Sequence, residues 1–211
     1  MHLAFVRDRC RLVPVPAIPE IRLYLADDVY GLWEQTEREL RRGELPPPFW
    51  AFAWPGGQAL ARHVLDHPET VAGRTVLDLG SGSGLVAIAA AMAGATRVVA
   101  SELDPIAVWA IRLNAQANGL VVEVTGDVLD TDGGTAGAVL AGDIWYERTL
   151  AARALGLLLR ARDRGAIVLA GDIGRAFLPR AQMRQIASYQ VPVPAELEDE
   201  PVKTVRILTL G

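Results

Sequence analysis

From residue 74 onward, short apolar runs alternate with longer segments whose apolar positions recur at helical spacing. Five runs rich in Val, Ile, Leu and Ala predict β-strands: TVLDL, RVVASE, VVEVTGD, AVLAGDIW and AIVLAGD. Helical patterns lie between most of them: GLVAIAAAMAG, DPIAVWAIRLNAQANG and ERTLAARALGLLLRARDRG. Because alternation of strands and helices with right-handed crossovers builds a parallel sheet with helices on both faces, we predict a doubly wound α/β fold.

The last 30 residues predict two more strands joined by an acidic turn that contains proline. We expect them to form an antiparallel hairpin that closes a Rossmann-like, mostly parallel sheet of seven strands. One predicted helix carries clear start signals, since Asp104 stands at its N-cap and Pro105 at its first position.

Upstream of residue 74 the pattern is less regular. AIPEIRLYLADD predicts a short strand, and YGLWEQTERELRRG predicts a polar helix that ends at Gly43 and the prolines at 46–48. GGQALARHVLDHPE predicts a further helix. We therefore expect residues 1–45 to form an N-terminal appendage of strand and helix, followed by a single domain over residues 46–211.

Composition narrows the function classes. The 211 residues carry a formal net charge of −4, so no global basic field attracts a nucleic-acid backbone. The single cysteine, Cys10, has no partner for a disulfide or a metal site, and we expect a small, half-buried apolar residue in a reducing compartment. The longest apolar run is far shorter than the roughly 20 residues of a membrane span, which favours a cytoplasmic protein.

The segment VLDLGSGSG places Asp78 near the end of the first strand of the alternating region, with Gly80, Gly82 and Gly84 in the turn that leads into a helix. Such a turn allows a ligand to approach bare backbone, and the helix N-terminus adds partial positive charge. In doubly wound sheets, ligands bind at this edge.

The glycine spacing distinguishes between ligands. A dinucleotide site has the pattern G-x-G-x-x-G, whereas here the third glycine is Gly84 and position 85 is Leu. The acid at Asp78 would repel a pyrophosphate but suits a ligand that carries an ammonium group and a sulfonium. These properties point to S-adenosylmethionine.

Two further acids follow the next two strands. The carboxylate of Glu102 can accept hydrogen bonds from both ribose hydroxyls, and Asp127 is placed to accept one from an adenine amino group. Each acid alone is typical of a strand end that faces water. Together with the glycine loop, three acids at successive strand ends favour a nucleoside site.

These motifs resemble those of the seven-β-strand class I methyltransferases. VLDLGSGSG, ASELDP and GDV match the glycine motif, the following acidic motif and the next acidic loop of that class, over about residues 74–130. The resemblance implies S-adenosyl-L-methionine as cofactor. It also implies a set of cofactor-binding residues within these motifs: Asp78, Gly80, Ser81, Gly82, Glu102, Leu103 and Asp127.

The end of the fourth strand of this region carries the acceptor chemistry in this class. Here it reads GDIWYE and lacks the D/N-P-P-Y/F pattern common in nucleic-acid amino-methyltransferases. Its Asp-x-x-Tyr spacing resembles a protein-lysine branch, which also carries a W-P-G/S-G-x-x-L-A segment, matched by WPGGQALA at residues 54–61. Residues 46–150 taken whole resemble the electron-transfer flavoprotein β-subunit lysine methyltransferases and their bacterial relatives.

This resemblance implies roles for the residues of both segments. Trp54 would wall the methionine end of the cofactor, with Gly142 also at the cofactor and Gln58 within polar reach. Asp143 would orient the substrate lysine, with proton acceptance or capping of the next helix as further roles. Tyr146 would align the lone pair of the amine.

The remaining aromatic and acidic residues leave alternatives open. Trp50 and Phe52 either line the acceptor channel or pack beneath it, and Phe49 either joins them or closes the edge of the sheet. Asp172 in GDIGR either supports the site or caps a turn. The acidic AELEDE segment is typical of a solvated turn, although it could attract a lysine-bearing surface.

His63 and His67 are expected at the surface, because no third metal ligand accompanies them. Two other functions remain open: a small-molecule N-methyltransferase of nicotinamide type, and a cofactor-binding regulatory module without catalysis.

Overall fold

The computed structural model describes residues 2–28, 31–32, 47–193 and 200–211. Nine strands are present in these ranges: β1 (Arg11–Val15), β2 (Ile18–Leu25), β3 (Thr75–Leu79), β4 (Arg97–Ser101), β5 (Glu123–Thr125), β6 (Ala138–Gly142), β7 (Ile167–Asp172), β8 (Met183–Pro192) and β9 (Val202–Leu210). Five α-helices accompany them: α1 (His2–Arg9), α2 (Pro55–Asp66), α3 (Leu85–Met92), α4 (Pro105–Ala117) and α5 (Arg148–Asp163). Short 3₁₀ turns lie at Phe49–Ala51 and Pro68–Thr70.

Seven strands form one sheet in the order β5-β4-β3-β6-β7-β9-β8. The first five of these are parallel, while β9 runs antiparallel to both β7 and β8. The predicted doubly wound sheet with its antiparallel C-terminal hairpin is confirmed. The order reverses direction between β3 and β6, and a topological switch point of this kind is where open α/β sheets bind ligands.

The register brings the predicted site residues to one edge. Leu79 at the end of β3 is level with Ser101 on β4 and Ala141 on β6, and Gly142 is level with Gly171 on β7. The carboxyl ends of these four strands therefore meet at the same edge of the sheet, and the loops that follow them can converge on one ligand.

Helix boundaries follow their capping residues. Asp104 accepts a hydrogen bond from the Ile106 amide at 2.7 Å, which confirms the predicted N-cap of α4. Glu147 caps α5 through hydrogen bonds from the amides of Thr149 and Leu150. Asp143 is therefore not the cap of that helix, and this part of the expectation is wrong.

The N-terminal residues contain more structure than the sequence predicts. Besides the expected strand β2, they form α1 and β1, and β1 pairs with β2 as a separate antiparallel hairpin. Asn114 on α4 and Asn118 at its C-terminal end attach β2 to the domain, because their side-chain oxygens accept hydrogen bonds from the Tyr24 and Arg22 amides at 2.7 and 3.0 Å. The hairpin therefore packs directly against α4, the helix that follows Glu102.

Apolar side chains pack on both faces of the large sheet. Cys10 lies in a smaller cluster with Val6 and Trp50, between the N-terminal residues and α4. It is buried more completely than expected, and desolvation, with a smaller contribution from the charge of Asp27, raises the pKa of its thiol to about 12.

Three expectations fall largely outside the described residues. They are the polar helix at 30–43, the boundary at residue 45 and the acidic segment at 195–200. Within the described ranges, the structure contains no helix with the length and apolarity needed to cross a bilayer.

Candidate active site

The glycine loop leaves β3 in a left-handed conformation. Gly80, Gly82 and Gly84 have φ angles of 61°, 54° and 84°, which side chains with a Cβ rarely adopt. A Cβ added to Gly82 would lie in ordinary van der Waals contact with Trp50, 3.9 Å from its Cα atom, and Gly82 itself lines the cleft. The loop therefore exposes backbone to a ligand at the start of α3.

Asp78 lies beneath this loop and is almost fully buried. Its Oδ2 atom accepts hydrogen bonds from the Ser81 hydroxyl at 2.5 Å and from the Ala87 amide at 3.1 Å. Burial raises the pKa of this carboxyl to about 7, although both hydrogen bonds act in the opposite direction. Asp78 thus fixes the loop to the first turn of α3 and also lines the cleft above it.

Glu102 follows β4 and reaches the same loop from the side. Its Oε2 atom accepts a hydrogen bond from the Gly82 amide at 2.9 Å, and its Oε1 atom accepts from the amides of Leu103 and Asp104. The side chain of Leu103 is 65% exposed and stands beside this carboxylate at the rim. An apolar surface next to a fixed carboxylate suits a nucleoside, whose sugar is polar and whose base is flat.

Asp127, in the loop after β5, lies farther out. Its Oδ1 atom accepts a hydrogen bond from the Leu129 amide, and its Oδ2 atom accepts from Arg153 at 2.8 Å. The same guanidinium binds Asp130 at 2.7 Å. The hydrogen bond from Leu129 and that from Arg153 lower the pKa of Asp127, so this carboxyl is ionised at neutral pH.

The W-P-G-G segment forms the N-terminus of α2, which lies across the ends of β6 and β7. A Cβ on Gly142 would come within 2.9 Å of the Gly57 Cα atom, so the helix passes the strand at backbone contact distance. The amide of Gly57 donates a hydrogen bond to Asp143 Oδ2 at 2.9 Å. This segment therefore ties the helix N-terminus to the acid of the Asp-x-x-Tyr motif.

Asp143 occupies an unusual backbone position. Its φ angle of 56° is the one positive value among the described non-glycine residues, and its side chain is 7% exposed. Arg175 donates two hydrogen bonds to Oδ1, from Nη2 at 2.9 Å and from Nε at 3.2 Å. Burial raises the pKa of Asp143 to about 6, while the charge of Arg175 and the Gly57 hydrogen bond act to lower it.

Aromatic rings form the mouth of the site. The ring of Phe49 lies 5.7 Å from that of Trp54 and 5.6 Å from that of Tyr146, measured between centroids. Trp54 Nε1 donates to the Phe49 carbonyl oxygen at 2.8 Å, which fixes the indole. Tyr146 is 51% exposed, so its hydroxyl can meet a substrate that arrives from solvent. Phe52 is buried and lines the cleft behind Trp54.

The structure decides the positions expected for Trp50, Gln58 and His63. Trp50 is buried against α4, so it packs beneath the site. The expectation for Gln58 is wrong, because its amide group is bound by the backbone of Ala17 and Ala53 and does not line the cleft. His63 is buried rather than at the surface, where its Nδ1 atom lies 3.0 Å from the Tyr189 hydroxyl.

Asp172 caps a turn, as one of its two expected roles requires. Its Oδ1 atom accepts hydrogen bonds from the amides of Gly174 and Arg175, and this turn carries Arg175 into the site. Arg175 belongs to none of the motifs that the sequence offers. The sequence marks Arg175 only by its position three residues after Asp172, the acid at the end of β7.

The cleft brings together most of the predicted residues. It is lined by Phe52, Trp54, Gly57, Asp78, Gly80, Ser81, Gly82, Ser83, Leu85, Val86, Gly142 and Asp143. Glu102 binds the lining at the Gly82 amide, and Tyr146 contacts Phe49, which lies against the lining residue Trp54. Asp127 is not among the lining residues. Glycine-loop backbone along the cleft, a buried acid beneath the loop and a carboxylate beside it form a donor and acceptor set that fits S-adenosylmethionine.

Comparison with known proteins supports the fold. The family model for ribosomal protein L11 methyltransferase (PrmA) matches residues 59–141. The crystal structure of a putative RNA methyltransferase from Pyrococcus horikoshii has a TM-score of 0.58 at 16% identity, covering 84% of this chain and 97% of that one. At this identity the likeness establishes the fold.

Closer similarity is found among curated proteins. The electron transfer flavoprotein beta subunit lysine methyltransferase of Mus musculus is 40% identical over 197 residues, which is 88% of this chain and 74% of that protein. The protein of the same name from Danio rerio is 37% identical over 196 residues, covering 89% and 75%. The chain therefore belongs to the family of electron transfer flavoprotein β-subunit lysine methyltransferases.

Proposed function

We propose that this protein transfers methyl groups from S-adenosylmethionine to lysine side chains of the β subunit of electron transfer flavoprotein. The observation that carries the proposal is the position of Asp143 and Tyr146. Asp143 lines a cleft whose floor is the glycine loop, and the ring of Tyr146 contacts Phe49, which in turn contacts Trp54 at the mouth of that cleft. A substrate amine entering between the aromatic rings would meet both polar side chains at the end of that cleft.

S-adenosylmethionine is the cofactor, and when bound it supplies an electrophilic methyl group on a positively charged sulfur. We assign its methionine end to the region of Asp78, Gly80, Ser81 and Gly82, with Trp54 and Gly142 as walls. We assign the ribose to Glu102, and the base to Leu103 and Asp127. The bond between Asp127 and Arg153 leaves the carboxylate oxygens with lone pairs for an amino group.

The substrate amine must be neutral to act as a nucleophile. A lysine side chain has a pKa of about 10.4, so deprotonation at pH 7 costs roughly 4.6 kcal/mol in water. Transfer from solvent into a mouth lined by Phe49, Trp54 and Tyr146 disfavours the ammonium form and reduces this cost. The proton of the ammonium is released to solvent as the side chain enters.

Positioning of the amine also contributes to the rate of methyl transfer. We assign to the Tyr146 hydroxyl a hydrogen bond that aligns the lone pair of the amine, and to Asp143 the orientation of its N–H groups. Alignment of this kind converts a bimolecular displacement into an effectively unimolecular one. The ring of Tyr146 also offers a face to the methylated, positively charged product.

A labelling experiment tests this function against the nicotinamide alternative. Purified electron transfer flavoprotein and free nicotinamide are each incubated with the protein and tritiated S-adenosylmethionine. The proposal predicts label on lysines of the β subunit and none on nicotinamide. Label on nicotinamide alone, or on arginine, would refute it, and an Asp143→Ala variant that labels as fast as wild type would exclude the assigned catalytic site.

We further propose that the protein acts in the cytoplasm on this protein substrate and not on nucleic acid. The net charge of −4 supports the exclusion of nucleic acid, since it provides no general attraction for a phosphate backbone. The single cysteine, which can form no intrachain disulfide, suits a reducing compartment such as the cytoplasm. Addition of total RNA or DNA in place of the flavoprotein should give no acid-precipitable label.

A further inference from the structure

Arg175 lies across the acceptor side of the site. Its guanidinium donates two hydrogen bonds to Asp143 Oδ1, and its carbon atom Cζ lies 5.6 Å from the centroid of the Trp54 ring. A carboxylate and an indole face are the two groups at this mouth that attract a cation most strongly. Arg175 contacts both of them.

The turn that follows β7 holds Arg175 in place. Asp172 accepts hydrogen bonds from the amides of Gly174 and Arg175, the latter at 2.8 Å, and Arg180 donates to the Gly174 carbonyl oxygen at 3.0 Å. Asp172 is fully buried, and its second carboxylate oxygen has no hydrogen-bond partner among the described residues. These hydrogen bonds stabilise the turn from both sides, and the turn places the Arg175 guanidinium against the Asp143 carboxylate.

A bare carboxylate at this position would oppose the reaction. A negative charge beside a buried amine stabilises the ammonium form, which has no lone pair for methyl transfer. Arg175 cancels that charge, because the Asp143–Arg175 pair is neutral overall. The substrate amine then meets a hydrogen-bond acceptor whose charge is already compensated.

We infer that Arg175 is a positioning residue that neutralises Asp143, so that the substrate lysine is held in the site as a neutral amine rather than as an ammonium ion. The inference rests on the proposed function and adds the means by which the site favours the reactive form of its substrate.

Other charged groups face the same region and remain unchanged in the test. The charge of Asp172 acts to raise the pKa of Asp143, and the charges of Glu102 and Glu147 act to raise the pKa of Tyr146. The charge of Arg180 acts to lower the pKa of Asp172. All of them are present in the wild type and in each variant below, so they do not account for a difference between the profiles.

The test is the pH dependence of kcat and KM for methyl transfer to electron transfer flavoprotein, measured for wild type and Arg175→Gln. In the variant, Asp143 pairs with the substrate ammonium. We expect the rising limb of kcat to move by at least about one pH unit to the alkaline side, with kcat near pH 7 reduced by about tenfold or more. KM should stay the same or fall, because the cationic side chain now binds more tightly.

Two variants separate this role from a structural one. Arg175→Lys retains the positive charge and should keep its rising limb within a few tenths of a unit of wild type. Arg175→Gln combined with Asp143→Asn removes both charges, so its rising limb should return toward that of wild type even if the overall rate is low. Calorimetric titration with S-adenosylhomocysteine checks that each variant still binds the cofactor product.

Each outcome decides the inference. A rate that falls equally at every pH, together with a raised KM, would overturn it in favour of a packing role. A double variant whose limb stays alkaline would also overturn it. If wild type fails to methylate the flavoprotein, the proposed function itself fails, and this result is distinct from a variant whose profile matches an active wild type.

Discussion

Gly56 and Gly171 lie so close together that neither position can accommodate a side chain. A Cβ built on Gly171 would overlap the carbonyl oxygen of Gly56, and a Cβ built on Gly56 would overlap that of Gly171. This contact sets the height of α2 above the ends of β6 and β7. It therefore fixes the distance from the W-P-G-G segment to Asp143.

The contact predicts which glycines are required. Gly56→Ala and Gly171→Ala should each lower the free energy of unfolding by about 1–3 kcal/mol or more, since overpacking forces the backbone apart. For a chain of this size that corresponds to a fall in Tm of several degrees, about 2–4 °C per kcal/mol. Gly57→Ala is the matched control, because its Cβ would meet only Val86, at 3.9 Å. Thermal unfolding of the three variants measures the difference, and equal Tm values would contradict the close approach.

Glu102 is predicted to contribute to cofactor binding through its position beside the glycine loop. Glu102→Gln removes the negative charge that binds the Gly82, Leu103 and Asp104 amides. We expect the Kd for S-adenosylhomocysteine to rise about 10- to 100-fold, since hydrogen bonds to charged groups contribute about 1.5–3 kcal/mol. Glu123→Gln serves as the control, because Glu123 is paired with Arg97 on the surface. Calorimetry that finds the same Kd for both variants would show that Glu102 does not contribute to cofactor binding.

Asp78 is predicted to make cofactor binding depend on pH. Its raised pKa of about 7 means that the carboxyl becomes protonated as the pH of the free protein falls below neutrality. Binding of an ammonium group must then release this proton, so affinity for S-adenosylhomocysteine should fall with decreasing pH, by at most about tenfold per unit. Titrations between pH 6 and 8 measure the slope.

Substitution of Asp78 isolates its contribution from that of Asp143, whose carboxyl has a pKa of about 6. Asp78→Asn keeps an oxygen that can accept from Ser81 and Ala87 but cannot titrate. It should bind more weakly at pH 8 and with a smaller slope. A variant that retains the full slope would assign the effect to another group.

Tyr146 is predicted to act on catalysis more than on binding. Tyr146→Phe retains the ring that contacts Phe49 and removes the hydroxyl. The loss of one aligning hydrogen bond should lower kcat about tenfold while leaving the Kd for S-adenosylhomocysteine nearly unchanged. Tyr189→Phe is the control, since that hydroxyl contacts His63 and does not line the cleft. Equal kcat values for the two variants would exclude the assigned role.

The sequence predicts the glycine loop and its acids well because these features are local. Asp78, Gly80 and Gly82 stand within five residues of one another, and Glu102 follows the next strand. Strand–helix alternation then requires that the strand ends meet at one edge. The fold, and the edge of the sheet at which the candidate cleft lies, therefore follow from spacing alone.

The features that the sequence did not predict depend on contacts between distant residues. Arg175 reaches Asp143 across 32 positions, and Asn114 binds Tyr24 across 90. Gln58 was assigned to the cofactor because it belongs to the W-P-G-G segment, yet helix geometry turns its side chain toward the N-terminal hairpin. The position of Arg175 three residues after Asp172 places it at the edge of the sheet, but it does not distinguish an arginine that faces solvent from one that pairs with Asp143.

The most direct test of the account is intact-mass analysis of the electron transfer flavoprotein β subunit after incubation with S-adenosylmethionine and either wild type or Asp143→Asn. We expect the mass of the β subunit to rise by whole methyl groups with wild type, and far more slowly with the variant; peptide mass spectrometry then places these groups on lysine. An unchanged mass with folded wild type that binds S-adenosylhomocysteine, or equal methylation by both proteins, would contradict it.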